Sequence, residues 1–322
     1  MKNMKNKQEI SQYEMNNFSS SAKNSPFRGL GGSNIIVGIG EILWDVFPGG
    51  KVLGGAPANF AYHVSQYGLQ GYAVSAIGAD ALGKEIIDTL ASKKLKNLVS
   101  ITDFPTGTVQ VTVDNQGIPQ YEICENVAWD NIPFSNELET LARNTIAVCF
   151  GSLAQRNSVS RNTINKFLKL LSPEAIIIFD INLRQYFYTK ELICESLLTC
   201  NILKINDEEV IEVSKFFDWS HLTELDICYQ LLKDFSLNMI ILTRGMNGSY
   251  VITENERYFK PTPVVKVADT VGAGDSFIAA FVSSILNGKS ISQAHSTAVN
   301  VSAYVCTQHG AMPEVPSTLL NM

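Results

Sequence analysis

The 322-residue chain reads as an α/β fold: a doubly wound, mainly parallel sheet with helices on both faces and a small antiparallel β lid. Three observations predict it. Short β-branched runs alternate with helical stretches through most of the chain, the pattern of strands joined by helical crossovers. Thr106 to Cys124 breaks that alternation, because Val109, Val111 and Val113 alternate with polar residues, Asn115-Gln116-Gly117 turns, and Tyr121 to Cys124 returns as an antiparallel partner. Asp269-Thr-Val-Gly-Ala-Gly-Asp-Ser-Phe277 sets a small-residue turn before an apolar helical run, Ser276 to Leu286, and after an alternating stretch, Val264 to Ala268, that reads as a strand.

Taken in order, residues 1–33 are rich in Asn, Ser, Lys and Gln, offer no periodic apolar face, and are expected to form a disordered tail. Asn34 to Gly40 is the first strand, and Glu41 to Asp45 opens its end on carboxylates. Pro57 near the start and Gly68 past the end predict a helix running to Tyr67, with Asn59 in its first turn. A strand at Gly71 to Ile77 and a helix at Lys84 to Leu95 follow. After the hairpin, strands are predicted at Thr145 to Phe150, Ala175 to Asp180, Ile202 to Ile205 and Met239 to Leu242. Helices are predicted at Ser158 to Leu171, Lys190 to Cys200, Asp207 to Phe216 and Leu222 to Phe235.

Composition narrows the function. A net charge of −6 leaves no basic face for nucleic acid. The six cysteines are scattered without Cys-x-x-Cys pairs or histidines at metal-ligand spacing, and read as reduced thiols of a cytoplasmic protein. No apolar run approaches the roughly 20 residues of a membrane span, and the start of the chain is too polar for the apolar core of a signal peptide.

The chemistry concentrates at the Asp269 to Phe277 turn. A helix start leaves backbone N–H groups without intrahelical partners and carries the positive end of the helix dipole, so it suits an anion. Gly272, Ala273 and Gly274 would let a phosphate approach the backbone, with Asp275 beside it as proton acceptor; the plain alternative is a tight turn capped by Asp275. Other strands end in polar clusters: Gly151-Ser152 with Gln155-Arg156, Asp180-x-Asn182-x-Arg184, Asn206-x-x-Glu209 and Thr243-Arg244-Gly245. Carboxyl strand ends share one edge of a doubly wound sheet, so these clusters should line one crevice with the turn.

These residues resemble the ribokinase-like, PfkB-type family of carbohydrate kinases, and within it most closely the fructokinases. One matched pattern runs from Gly54-Gly55 through Asn59 and Ala61 to Gly68 and Gly78; the second is Asp269 to Asp275 with its small-residue continuation to Val282. With Asp45, Asn206-x-x-Glu209, Thr243-Arg244-Gly245 and Gly310-Ala311, the similarity covers about residues 34–316, so 34–322 is expected to be one sugar kinase domain with the β lid inserted at about 104–130. The resemblance implies that Asp45, Gly55 and Asn59 hold sugar hydroxyls, that Gly272 to Gly274 form the anion hole, and that Asp275 is the catalytic base. It implies Asn206 and Glu209 at the Mg2+–ATP end, with Glu209 reaching the metal through water, and a monovalent cation, K+, near Asp269 and Val271. Adenine would lie between the turn at Thr243, Arg244 and Gly245 and the last long helix; Val299 stands where many relatives carry Asn, so Asn300 is given no role.

Phosphoryl transfer requires in-line positioning, neutralisation of the moving phosphoryl, and an acceptor for the hydroxyl proton, which a carboxylate can be. Gly-x-x-x-x-Gly-Lys-Ser/Thr and the His-Arg-Asp with Asp-Phe-Gly set are both missing, which excludes P-loop enzymes and protein kinases. A dinucleotide oxidoreductase fails on its fingerprint, since Gly38-x-Gly40 is followed by Leu43 where the third glycine belongs. A non-catalytic sugar sensor would most cheaply have lost Asp275, and none of the four histidines sits in a hydrolase triad pattern.

Between Lys96 and Arg143 there is no Lys or Arg, whereas Asp103, Asp114, Glu122, Glu125 and Asp130 fall there. Phosphate or carboxylate groups are normally desolvated by basic partners, so this lid favours a neutral free sugar, D-fructose first and ribose second. Arg156 and Arg184 could enter the pocket from the sheet side and admit an acidic sugar. A 2-keto-3-deoxygluconate kinase and a nucleoside kinase are the alternatives, the latter through stacking on Phe104, Tyr121 or Trp129. The hairpin is also expected to pair two subunits into a homodimer.

Overall fold

The computed structural model describes residues 34–113 and 119–322; the expected tail and the Asn115 to Gly117 turn lie outside them. The main sheet has nine strands in the order β13-β12-β11-β10-β9-β8-β1-β4-β5. β1 (Ile35–Ile39), β4 (Gln70–Gly78), β5 (Lys96–Thr102), β8 (Thr145–Phe150), β9 (Ile176–Asp180), β10 (Ile202–Asn206) and β11 (Met239–Thr243) are mutually parallel. Two antiparallel strands, β12 (Ser249–Ile252) and β13 (Arg257–Lys260), extend the edge beyond β11. Strand order runs outward from β1 to β4 and β5 on one side and to β8 through β11 on the other, which opens a crevice at the carboxyl ends of β1 and β8.

Helices cover both faces, as the alternation predicts. On one face, α1 (Ala56–Ser65), α8 (Ala273–Leu286) and α9 (Ile291–Val305) pack Phe60, Val64, Phe277, Phe281 and Val301 against Ala147, Ile176 and Ile178 of the sheet. On the other, α4 (Ser158–Lys169), α5 (Lys190–Thr199), α6 (Asp207–Phe216) and α7 (Glu224–Asp234) pack Phe167, Ile193, Val210 and Leu231 against Val148, Phe150 and Phe179. The period-two pattern of β8 and β9 sends alternate side chains into these two cores. α2 (Ala81–Ser92) flanks β4 and β5, and α3 (Asn136–Arg143) precedes β8.

A second sheet has the order β3-β2-β6-β7, built from two hairpins: β2 (Leu43–Phe47) with β3 (Gly50–Gly54), and β6 (Gly107–Val113) with β7 (Pro119–Ile123). One parallel pairing, β2 to β6, joins them. The lid is therefore larger than the insertion expected at 104–130. The first hairpin escapes a reading by apolar period, because Gly49, Gly50, Gly54 and Gly55 bound strands of only five residues each.

Val264 to Ala268 is not a strand. Val264, Val265 and Val267 line a second cavity instead of pairing with a sheet, so their apolar pattern does not come from a pleat. The helix after it starts at Ala273, three residues before the expected apolar run, because the small residues of the turn already form its first turn. The helix carrying Asn59 stops at Ser65, short of Tyr67. Edge strand β5 and the β12–β13 hairpin have weak or mixed polar alternation and escape a reading by apolar period.

Candidate active site

α8 begins where Gly272 takes φ 75°, a left-handed conformation, and a Cβ there would come within 2.8 Å of the Ala311 backbone. Only glycine fits both demands. Asp269 holds the turn from below, its Oδ1 accepting from Val271 N at 3.0 Å and its Oδ2 from Gly310 N at 3.2 Å. Ser302 Oγ, from α9, donates to Ala273 O at 2.9 Å. His63 Nε2 lies 2.9 Å from Ala311 O, and burial lowers its pKa to about 4, so a neutral imidazole props the C-terminal segment behind Gly272. The turn is thus braced from three sides, with Gly274 and Asp275 in the helical turn that offers free N–H groups.

Asp275 stands at the floor of a cavity of about 760 Å³. Asn59 Nδ2, from the first turns of α1, donates to Asp275 Oδ2 at 2.8 Å. Burial raises the Asp275 pKa to about 6, the charge of Asp180 adds to the rise, and the Asn59 hydrogen bond, Lys204 and Arg184 oppose it. Gly55 caps α1 with φ 116°, and a Cβ there would stand 2.5 Å from Glu41 O. Asp45 reaches the same cavity from β2, folded over Gly54, where a Cβ would stand 2.5 Å from Asp45 Oδ2; burial raises its pKa. Val109 and Ile123 of the second hairpin also line the cavity, so both hairpins wall the site.

Arg184 lines this cavity on a loop bent by Asn182 at φ 42° and Gln185 at φ 48°. Arg156 does not. It is buried between the rings of Trp129 and Phe187, bonded to both carboxylate oxygens of Asp130 and to Cys124 O, and ties the lid to the sheet.

Asn206 lines the cavity and caps α6, its Oδ1 accepting from Glu209 N at 2.8 Å. Glu209 is buried, with Oε2 accepting from Asn206 N and Oε1 from Leu183 N. One backbone N–H on each oxygen fixes the carboxylate and leaves each a further lone pair for an ordered water or a cation. Among the described residues no cluster of three or more His, Cys, Asp or Glu forms a ready-made metal cage. Thr243 and Gly245 line the second cavity, of about 350 Å³, with Val299 and Ser302 of α9 on its far side. The Arg244 side chain turns away from both cavities to pair with Glu224 at 3.0 Å.

Lys204 escaped sequence reasoning. It lies on β10, buried, with Nζ 2.9 and 3.1 Å from the two oxygens of Asp180, and lines the cavity. A Cβ at Gly274 would stand 2.8 Å from that Nζ, so the ammonium sits directly behind the small-residue turn. The strong charge of Asp180 keeps it protonated despite burial. The Lys-x-Asn spacing that puts Lys204 on the same sheet edge as Asn206 was its only signal.

The site therefore combines a helix start with free N–H groups, a cation behind it, a carboxyl whose pKa burial raises, and an open cavity bordered by a lid and a second apolar slot. It can bind an anionic group at the turn and take a proton from a hydroxyl at Asp275. No helix among the described residues is long and apolar enough to cross a membrane.

Comparison with known proteins gives the following. A model for the pfkB family of carbohydrate kinases matches residues 41–318. An ATP-dependent 6-phosphofructokinase of Thermoanaerobacterium thermosaccharolyticum is 27% identical over 271 residues, covering 83% of this chain and 82% of its own. A fructokinase of Salmonella typhimurium is 26% identical over 302 residues, covering 86% of this chain and 95% of its own. The solved structure of a fructokinase from Xylella fastidiosa with bound ATP has the same fold, with a TM-score of 0.78 at 19% identity over 90% of this chain and 98% of that one.

Proposed function

The chain belongs to the pfkB family of carbohydrate kinases, and on that premise we propose that it transfers the γ-phosphoryl group of ATP to a primary hydroxyl of a neutral free sugar, D-fructose first and ribose second. The observation that carries this reading is Asp275, held by Asn59 at the mouth of the Gly272 to Gly274 turn, with Lys204 behind that turn. The sugar occupies the larger cavity, contacting Asp45, Gly55, Asn59 and Arg184. Asp275 accepts the attacking hydroxyl's proton as the phosphoryl group leaves ADP, and the turn amides with Lys204 carry the charge on the transferred oxygens. ATP lies along Asn206 and Thr243, with its adenine in the apolar slot between Gly245 and α9. Mg2+ would supply charge neutralisation on the nucleotide phosphates, ordered through Asn206 and water at Glu209. K+ would sit beside Asp269 and the Val271 backbone and firm the turn.

Charge supports a neutral sugar. Among the described residues lining the larger cavity, the cations are Lys204, engaged by Asp180, and Arg184, against the carboxylates of Glu41, Asp45 and Asp275. A sugar phosphate, the substrate in the name of the 6-phosphofructokinase relative, would meet three carboxylates and Arg184 alone. Two subunits pairing through their lids is part of the same proposal, and a monomer at micromolar concentration in sedimentation would remove it.

The test is a coupled assay for ADP with fructose, ribose, 2-keto-3-deoxygluconate, fructose 6-phosphate and adenosine. Fructose should have the highest kcat/KM. A higher value for an acidic sugar or a sugar phosphate would overturn the substrate assignment, and no ADP from any of them would overturn the activity.

A further inference from the structure

We propose that Glu41 is a second carboxylate ligand of the sugar, its Oε2 accepting a hydrogen bond from a hydroxyl other than the one phosphorylated. The proposal rests on the reading that a neutral sugar occupies the larger cavity, and assigns one contact within it.

Glu41 lies two residues past β1, at the strand end where the sheet order reverses, and lines the cavity. Only 4% of the residue is exposed, yet Oε2 has no hydrogen-bond partner. Asn59, which lines the same cavity, has a second buried acceptor without a partner, its Oδ1. Buried polar atoms are satisfied in the great majority of cases, and an orphan is costly, more so if charged. Two in the lining of one cavity mark where a ligand completes the bonding.

The chemistry of that ligand follows from the groups present. Asn59 Oδ1 is an acceptor, and so is Glu41 Oε2 when the carboxyl is ionised, so a partner that brings donors satisfies both. Asp45 and Asp275 line the same cavity, so an acidic sugar is disfavoured there and hydroxyls are favoured. The backbone cannot easily retreat, because the Gly55 backbone packs so closely on Glu41 O that a Cβ would stand 2.5 Å away. Burial dominates to raise the Glu41 pKa to about 7, opposed by a hydrogen bond from its own backbone N–H and by the charge of Arg184, while Asp275 and Asp180 add to the rise. A donating hydroxyl stabilises the ionised carboxylate and tips this balance towards it. In sequence, Glu41 belongs to a strand end that opens on carboxylates, and the resemblance that gives Asp45 and Asn59 sugar contacts gives Glu41 none.

A substrate-analogue cycle tests the proposal. The panel sugar with the highest kcat/KM is used, together with its deoxy analogues, each lacking one non-reacting hydroxyl, against the wild-type enzyme and Glu41→Ala. For one analogue the wild-type enzyme should lose about tenfold to hundredfold in kcat/KM, while Glu41→Ala, already reduced by a similar factor, loses little further. The KM for ATP should stay within about twofold, which separates a sugar contact from general damage. If every deoxy penalty is as large in Glu41→Ala as in the wild type, Glu41 does not touch the sugar. Should Glu41→Ala fail to fold, Glu41→Gln serves in the same cycle, because it keeps the shape and removes the charge. A best substrate other than fructose would overturn the substrate assignment while leaving this test intact.

Discussion

Asn59 and Asp275, from helices separated by most of the chain, meet in a 2.8 Å hydrogen bond at the start of α8. The bond aims the carboxylate and leaves its other oxygen free, so a residue read as a sugar ligand also positions the residue read as the base. Asp275→Ala should fold and bind sugar almost as the wild type does, while turnover falls by about 10²- to 10⁴-fold. Calorimetric sugar titration beside the coupled assay separates the two; turnover above about a tenth of wild type would remove Asp275 from the role of base.

The acid side of the pH–rate profile follows from the same pair. Catalysis needs the carboxylate, and burial raises the Asp275 pKa from 3.8 to about 6, so kcat/KM should fall tenfold per pH unit below about 6. The Asn59 hydrogen bond lowers that pKa, so in Asn59→Ala the limb should move to higher pH. Glu41, Asp180, Lys204 and Arg184 are coupled to the group, and the limb reports the cluster. A limb unmoved in Asn59→Ala would show that the bond does not tune the base.

Glu41 makes a separate prediction about stability. Its folded pKa of about 7 lies above the ordinary 4.5, so the folded state holds the proton more tightly and the carboxyl costs stability as pH rises from 4.5 through 7. The full penalty, up to about 3 kcal/mol, is present at pH 8. Glu41→Gln should therefore raise Tm by a few degrees at pH 8 and much less at pH 5, even as it lowers kcat/KM. Equal shifts at the two pH values would mean that ionisation of Glu41 is not what destabilises the site.

Arg156 and Asp130, with side-chain exposures of 7% and 2%, anchor the second lid hairpin to the sheet. Arg156→Ala leaves Asp130 buried and unpaired and should cost about 3–5 kcal/mol in urea unfolding. Lys51→Ala breaks the Lys51–Glu85 pair, whose side chains are 31% and 49% exposed, and should cost less than about 1 kcal/mol. Similar losses from the two changes would contradict the buried anchor.

The class of sheet, most of its strands, and the stretch on which the site turns are legible in the amino-acid order. Those features are local: the β-branched runs of β8 to β11, the helix Asp207–Phe216, and the glycines before Asp275 each carry their period or backbone demand within a few residues. Only the tertiary structure decided that Asp45 belongs to a lid strand, that Arg184 and not Arg156 reaches the cavity, and that Arg244 turns to Glu224. It alone brought Lys204 behind Gly274 and left Glu41 with an unpaired oxygen. A charged side chain's partner is chosen by which strand ends and loops converge, and no periodicity along the chain encodes that choice; burial then sets the cost of every carboxylate left without one.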